Sequence, residues 1–221
     1  IANPNCSTII MVMALKPIYD LAKIKRVIVS TYQAVSGAGK EGIDELDAQV
    51  REHSEGREMT ANILPSASAE KHYPIAFNLI PQIDVFCDNL YTKEEMKMVN
   101  ETKKIMEDYE MRITATTIRV PVYRSHSESV NIELEKEVDL GAMREALAKF
   151  PGVTVQDDPS KQEYPMPLYT SEKDDVYVGR LRRDESCEKS YNMWVVGDQI
   201  RKGAALNTLQ IAETMIKNGW I

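Results

Sequence analysis

The sequence predicts an α+β domain in which long helices pack on one sheet made of antiparallel-looking strand pairs. Three observations carry that prediction. Apolar residues recur at helical spacing over 7–22, 43–53, 92–109, 139–150 and 200–218. Runs rich in β-branched and aromatic residues, bounded by turn formers, lie at 26–35, 112–123, 127–138, 175–184 and 190–199. No internal repeat, low-complexity tract or linker divides them, so residues 1–221 read as one domain.

In order along the chain, "STIIMVMALKPIYDLA" (7–22) opens with Ser7 or Thr8 as the expected N-cap, because a hydroxyl there can accept the free N–H groups of the first turn. Pro17 is expected to kink or divide this helix, since it removes an internal hydrogen bond. "RVIVSTYQAV" (26–35) reads as a buried strand. "SGAGKEG" (36–42) breaks the pattern with three glycines, and "IDELDAQVREH" (43–53) resumes it as an amphipathic helix. Residues 54–75 read as irregular loop. In "TKEEMKMVNETKKIMEDY" (92–109), Thr92 and Glu95 have the spacing of a capping box. "RITATTIRVPVY" (112–123) and "SESVNIELEKEV" (127–138) are expected to pair with each other, with "RSHS" between or beside them. "DLGAMREALAKF" (139–150) is a helix stopped by Pro151-Gly152. The runs on either side of "ESCEK" form a hairpin, and 200–218 is a closing helix ended by Gly219.

The composition is that of an ordinary globular protein, with 43% hydrophobic and 28% charged residues. A net charge of −7 gives no electrostatic case for nucleic acid or an anionic membrane surface. No apolar run approaches the ~20 residues of a membrane span, and no charged leader precedes an apolar stretch. The cysteines Cys6, Cys87 and Cys187 contain no CxxC pair, so neither a structural metal site nor a disulfide framework is expected. A reducing cytoplasm is the expected compartment.

The residues that can carry chemistry begin with Cys6, at a helix mouth, where unpaired N–H groups and the helix dipole would favour a thiolate. The ordinary alternative is a small buried hydrophobe, which is the reading for Cys87 and Cys187. A nucleophilic cysteine needs a base, and the histidines are His53, His72 and His126. Of these His126 leads, because the flanking hydroxyls of Ser125 and Ser127 could orient it. "SGAG" (36–39) either lets backbone approach a ligand or turns the chain. Gln33 and Arg119 are polar ends of otherwise apolar strands. Arg119 either forks onto a carboxylate ligand or pairs with an acid of the protein.

Together, "NPNCST" (3–8), "VSTYQAVSGAG" (29–39), "EEMK" (94–97), "RVPVYRSHSES" (119–129) and "GDQIRKGAALNT" (197–208) resemble the aspartate-β-semialdehyde dehydrogenases, in order and over the whole chain. The resemblance implies a mixed, largely antiparallel sheet with helices on one face, in a glyceraldehyde-3-phosphate-dehydrogenase-like catalytic domain. It implies that Cys6 is the nucleophile that forms an acyl-thioester and that His126 is its acid/base. Gln33 would orient the substrate, Arg119 would hold its carboxylate and Glu94 would meet its amino group. Lys97 would bind phosphate, and Ser36 and Gly37 would approach an NADP cofactor. Gln199 stands where many members carry an asparagine that faces the cofactor. The reaction implied interconverts aspartate semialdehyde plus phosphate with β-aspartyl phosphate, in lysine, threonine and methionine biosynthesis, by a homodimer.

Family members begin with a dinucleotide-binding domain, and no Gly-rich turn after a strand precedes Cys6 here. The expectation is therefore a catalytic and dimerisation domain without its nucleotide-binding domain, inactive alone, whose final helix leaves Leu206, Leu209, Ile211 and Ile216 uncovered. Two other readings compete. One is a stand-alone dimerisation or binding domain with a vestigial site. The other is a cysteine hydrolase, for which no oxyanion donor or third triad member is evident.

Overall fold

The structure, a computed structural model, describes residues 1–221. Helix α1 (Cys6–Leu21) is capped by Asn5, upstream of the expected hydroxyls. Asn5 Oδ1 accepts from the N–H groups of Ser7 at 3.0 Å and Thr8 at 3.1 Å. Pro17 neither divides nor ends the helix. Its cost of about 3 kcal/mol is offset by Ile10, Leu15 and Ile18, each fully buried and each contributing roughly 1.5–3 kcal/mol.

Strand β1 (Ile24–Gln33) leads through a 3₁₀ turn at Val35–Ala38 into α2 (Gly39–Ser54), which starts earlier than the apolar spacing predicts. The glycines there permit a close approach instead of breaking the helix. A Cβ on Gly42 would lie 2.5 Å from the Val35 carbonyl oxygen. The capping box forms as expected at the start of α3 (Lys93–Ile105). Then come β2 (Arg112–Arg119), β3 (His126–Leu134), α4 (Leu140–Lys149), β4 (Val153–Val155), α5 (Pro167–Thr170), β5 (Val176–Arg183) and β6 (Ser190–Gly197). The closing helix has a π-helical first turn, Arg201–Ala205, before α6 (Leu206–Lys217).

The six strands form one sheet in the order β2-β1-β3-β6-β5-β4. The pairs β1/β3, β3/β6 and β5/β6 are antiparallel, whereas β1/β2 and β4/β5 are parallel. This is the mixed, largely antiparallel sheet expected, with one correction. β2 and β3 do not pair with each other, because both flank β1. The connection between them is too long for a tight hairpin, and β1 offers each strand an apolar partner.

Helices α1, α3 and α4 cover one face and enclose a core of 25 buried residues centred on Leu15, Ile18, Val29, Ile132 and Val195. The opposite face carries only the one-turn α5 and the segment before it, beside β6, where Trp194 Nε1 donates to the Pro165 carbonyl at 3.1 Å. Ile28, Tyr32, Asn131 and Trp194 lie there half-buried, with the Tyr32 and Trp194 rings 5.5 Å apart. No residue of α6 is buried, and Leu209 and Ile216 are 62% and 64% exposed, while Leu206 and Ile211 are half-covered. No helix is long and apolar enough to cross a membrane.

Candidate active site

Strand register assembles the site. Gln33 pairs with Arg119 across β1/β2, and His126 pairs with Gly197 across β3/β6. Tyr32 pairs with Ser127, so Gln33 falls level with His126. Arg119, Gln33, His126 and Gly197 therefore form one row across four strands at the rim of the helix-covered face, where alternate residues share a side. All four are buried. Gly197 lets α1 lie directly on this row: a Cβ there would meet Ile10 Cγ1 at 3.0 Å. Cys6, the first residue of α1, is thereby brought to the rim.

A second layer comes from α3. Glu95 closes the capping box with Thr92 and also accepts from the Thr117 N–H at 3.0 Å, tying α3 to β2. This sets Glu94 over the row. Glu94 Oε1 accepts from Asn5 Nδ2 at 2.8 Å and Gln33 Nε2 at 3.3 Å, and Oε2 faces Lys97 Nζ at 3.4 Å. Lys97 also reaches Asp84 at 3.3 Å. Burial works against its charge, but the carboxylates of Glu94 and Asp84 outweigh burial and raise its pKa.

Arg119 is 3% exposed, and its Nη1 donates to the Ala34 carbonyl at 2.7 Å while Nε has no partner. Of the two sequence readings, an internal ion pair is not formed: no carboxylate lies within salt-bridge distance of it. Burial lowers its pKa, partly opposed by Glu94 and Cys6. A buried guanidinium with free donors and no counter-ion is arranged to take an anion from outside the protein.

Two sequence expectations need correction. His126 is not oriented by its flanking hydroxyls. Ser125 Oγ bonds Thr170 Oγ1 at 2.7 Å, and Ser127 Oγ has no partner. The ring is held by the Ala34 N–H, which donates to Nδ1 at 3.0 Å and leaves Nε2 unpartnered. Burial, then Arg119, drives the His126 pKa well below its usual value. Nor does the helix mouth make Cys6 a thiolate. Its thiol is pushed up to about 12 by burial, then by Glu94, against the Ser7 N–H and Arg119. The first-turn donors are largely spent on Asn5 Oδ1.

Gln199 commits both ends of its amide to the protein. Oε1 accepts from the Ser125 N–H at 2.9 Å, and Nε2 donates to Ser36 Oγ. Ser36 is buried and Gly37 exposed. A Cβ on Gly37 would lie 2.6 Å from Arg119 Nη1 and 3.3 Å from His126 Nε2, so a bare backbone is needed there. The structure thus gathers all nine predicted residues: Cys6, Gln33, Ser36, Gly37, Glu94, Lys97, Arg119, His126 and Gln199.

Sequence reasoning passed over Asn5, Ala34 and Gly203. Asn5 was visible as a possible N-cap inside "NPNCST". Gly203 lies in the π turn, a feature frequent at functional sites, and its Cβ would meet Cys6 Cβ at 3.0 Å. Ala34 acts through its main chain, so no side-chain signal could have marked it.

Residues 15–202 match the family model described as semialdehyde dehydrogenase, dimerisation domain. The chain is 54% identical over 221 residues to an aspartate-semialdehyde dehydrogenase of Aquifex aeolicus, covering 100% of this chain and 63% of that protein. It is 51% identical to one of Bacillus subtilis, covering 98% and 63%. A solved structure of aspartate semialdehyde dehydrogenase II from Vibrio cholerae, complexed with ASA, aligns with a TM-score of 0.92 at 45% identity, over 98% of this chain and 62% of that one. The chain thus spans rather less than two thirds of the length of these relatives.

Proposed function

The chain belongs to the semialdehyde dehydrogenase family, and from that premise we propose that it is the catalytic and dimerisation part of an NADP-dependent aspartate-semialdehyde dehydrogenase. Its reaction would interconvert aspartate semialdehyde plus phosphate with β-aspartyl phosphate. The observation that carries the reading is the single row Arg119–Gln33–His126 beneath Cys6, with an unpaired buried guanidinium and an unpartnered Nε2.

In the proposed mechanism Arg119 forks onto the substrate α-carboxylate, Glu94 receives its ammonium group, and Gln33 fixes the remaining freedom of the chain, so the carbonyl carbon is held against Cys6. The Cys6 thiol adds across the carbonyl: its sulfur bonds to the carbon, and its proton passes to the oxygen that His126 serves. Covalent capture divides a difficult acyl transfer into two easier steps. At the acyl level Cys6 holds the aspartyl group as a thioester. A phosphate oxygen held by Lys97 attacks it, the C–S bond breaks, and the sulfur leaves as thiolate while the acyl phosphate departs. The Ser36–Gly37 turn fits the nicotinamide end of a cofactor, because the absent Cβ at Gly37 keeps backbone flat against Arg119 and His126. When bound, that cofactor supplies the hydride exchange between the aldehyde and acyl levels. The reading places the rest of its binding in a nucleotide-binding part outside this chain, with the open sheet face around Tyr32 and Trp194 covered by a second copy.

A protonated Cys6 is also what a stand-alone binding domain with a vestigial site would have. A dehydrogenase assay with aspartate semialdehyde, phosphate and NADP⁺ separates the two, run with and without the separately produced nucleotide-binding half of a relative. Turnover in the mixture, abolished by Cys6→Ser, is expected. Folded halves that associate without turnover would leave the vestigial reading.

A further inference from the structure

We propose that the main chain of Ala34 fixes His126 as the neutral imidazole with its proton on Nε2, so that this ring meets an incoming carbonyl oxygen as a hydrogen-bond donor. The inference rests on the reading of the site as an aldehyde-processing centre, but its geometric half stands without it.

A backbone N–H can only donate, so the 3.0 Å contact from Ala34 N to His126 Nδ1 requires a lone pair on Nδ1. In a neutral ring the proton then sits on Nε2. An imidazolium carries N–H on both nitrogens, and forming one here would break the Ala34 contact and set two donors against each other. The ring is fully buried beside the Arg119 guanidinium, and both oppose a second proton. Nε2 has no protein partner, and the backbone of Gly37 passes close to it without a side chain. It is therefore a buried donor aimed into the site.

The same residue does a second task. The Ala34 carbonyl accepts from Arg119 Nη1 at 2.7 Å, so one amino acid's N–H and C=O orient both the ring and the guanidinium. Ala34 is a positioning residue that acts without its side chain. It holds because the 3₁₀ turn at Val35–Ala38 starts where β1 ends, which frees this N–H from the strand ladder.

The tautomer can be read directly on the chain labelled with ¹⁵N-histidine, by long-range proton–nitrogen correlation near neutral pH. A His53→Gln/His72→Gln double variant leaves His126 as the sole ring, and both replaced residues lie outside the site. The expected spectrum has a non-protonated Nδ1 and a protonated Nε2. A protonated Nδ1, an imidazolium or rapid exchange between tautomers would each overturn the proposal. No cofactor or substrate is needed, so a failed dehydrogenase assay and a failed tautomer assignment are separate results.

Discussion

Asn5 joins two parts of the site, and its substitution separates them. Its Oδ1 caps α1, and its Nδ2 donates to Glu94 at 2.8 Å. Asn5→Ala loses both. A lost N-cap costs about 1 kcal/mol, and a hydrogen bond to a charged group about 1.5–3 kcal/mol, so the expected destabilisation is about 3 kcal/mol. Asn5→Asp keeps the cap, and its charge suits the helix N-terminus. It also sets a second carboxylate where the amide donor stood. At 2.8 Å and an effective dielectric of about 20, the repulsion is about 6 kcal/mol before relaxation. The pair must then part or take up a proton. Urea unfolding at neutral pH should find Asn5→Asp at least as destabilised as Asn5→Ala. Near pH 4 Asn5→Asp should recover relative to Asn5→Ala, because a protonated carboxyl can donate across the gap. If Asn5→Asp matches the unsubstituted chain at neutral pH, Asn5 is only a helix cap and the coupling to Glu94 is wrong.

Three further outcomes follow from the same geometry. Because the Cys6 thiol is pushed up to about 12, its alkylation by iodoacetamide should keep accelerating through pH 10, beyond the range of an ordinary thiol; a plateau near neutral pH would mean a thiolate. Glu128 is fully buried with neither oxygen partnered, and burial raises its carboxyl pKa well above the usual value. The folded chain therefore holds a proton that the unfolded chain releases, and stability is full below the unfolded pKa and lost as pH rises toward the folded one, by up to about 1.4 kcal/mol per pH unit. Thermal melts should show Glu128→Gln gaining on the parent chain from pH 5 to 8; a widening loss would refute it. Gly203→Ala places a methyl 3.0 Å from Cys6 Cβ and 3.3 Å from Gln199 Cβ, so Cys6 alkylation should change several-fold with the melting temperature moved by only a few degrees; unchanged alkylation would show that the π turn does not position the Cys6 side chain.

The sequence revealed what depends on side-chain type and hid what depends on the main chain. The capping box at Thr92, the strand at β1 and the hairpin of β5 and β6 were legible because propensity and turn residues agree there. The protonated state of Cys6 was not. The helix dipole is a local effect, whereas the pKa is decided by burial and by Glu94, a residue 88 positions away in the sequence (94 − 6). Pro17 does not divide α1 for a similar reason, since tertiary burial on both sides of the proline holds the helix together.

The strand partners were misjudged, yet the pattern of polarity contains the arrangement. On their inward faces β1 runs from Val27 and Val29 to Thr31 and Gln33, and β2 runs from Ala115 to Thr117 and Arg119. Both turn polar toward their C-termini. β3 does the reverse, with Glu128 and His126 at its start and Val130, Ile132 and Leu134 after them. Buried polar groups are costly unless they share partners or a function, so these three polar ends have reason to lie at one rim. They can do so only if β1 and β2 run in the same direction and β3 runs against both. The observed sheet satisfies that condition, with β1 in the middle. Thr117, Thr31 and Glu128 then fall into a second row directly behind Arg119, Gln33 and His126, so the core gives way to the site over two residues of strand.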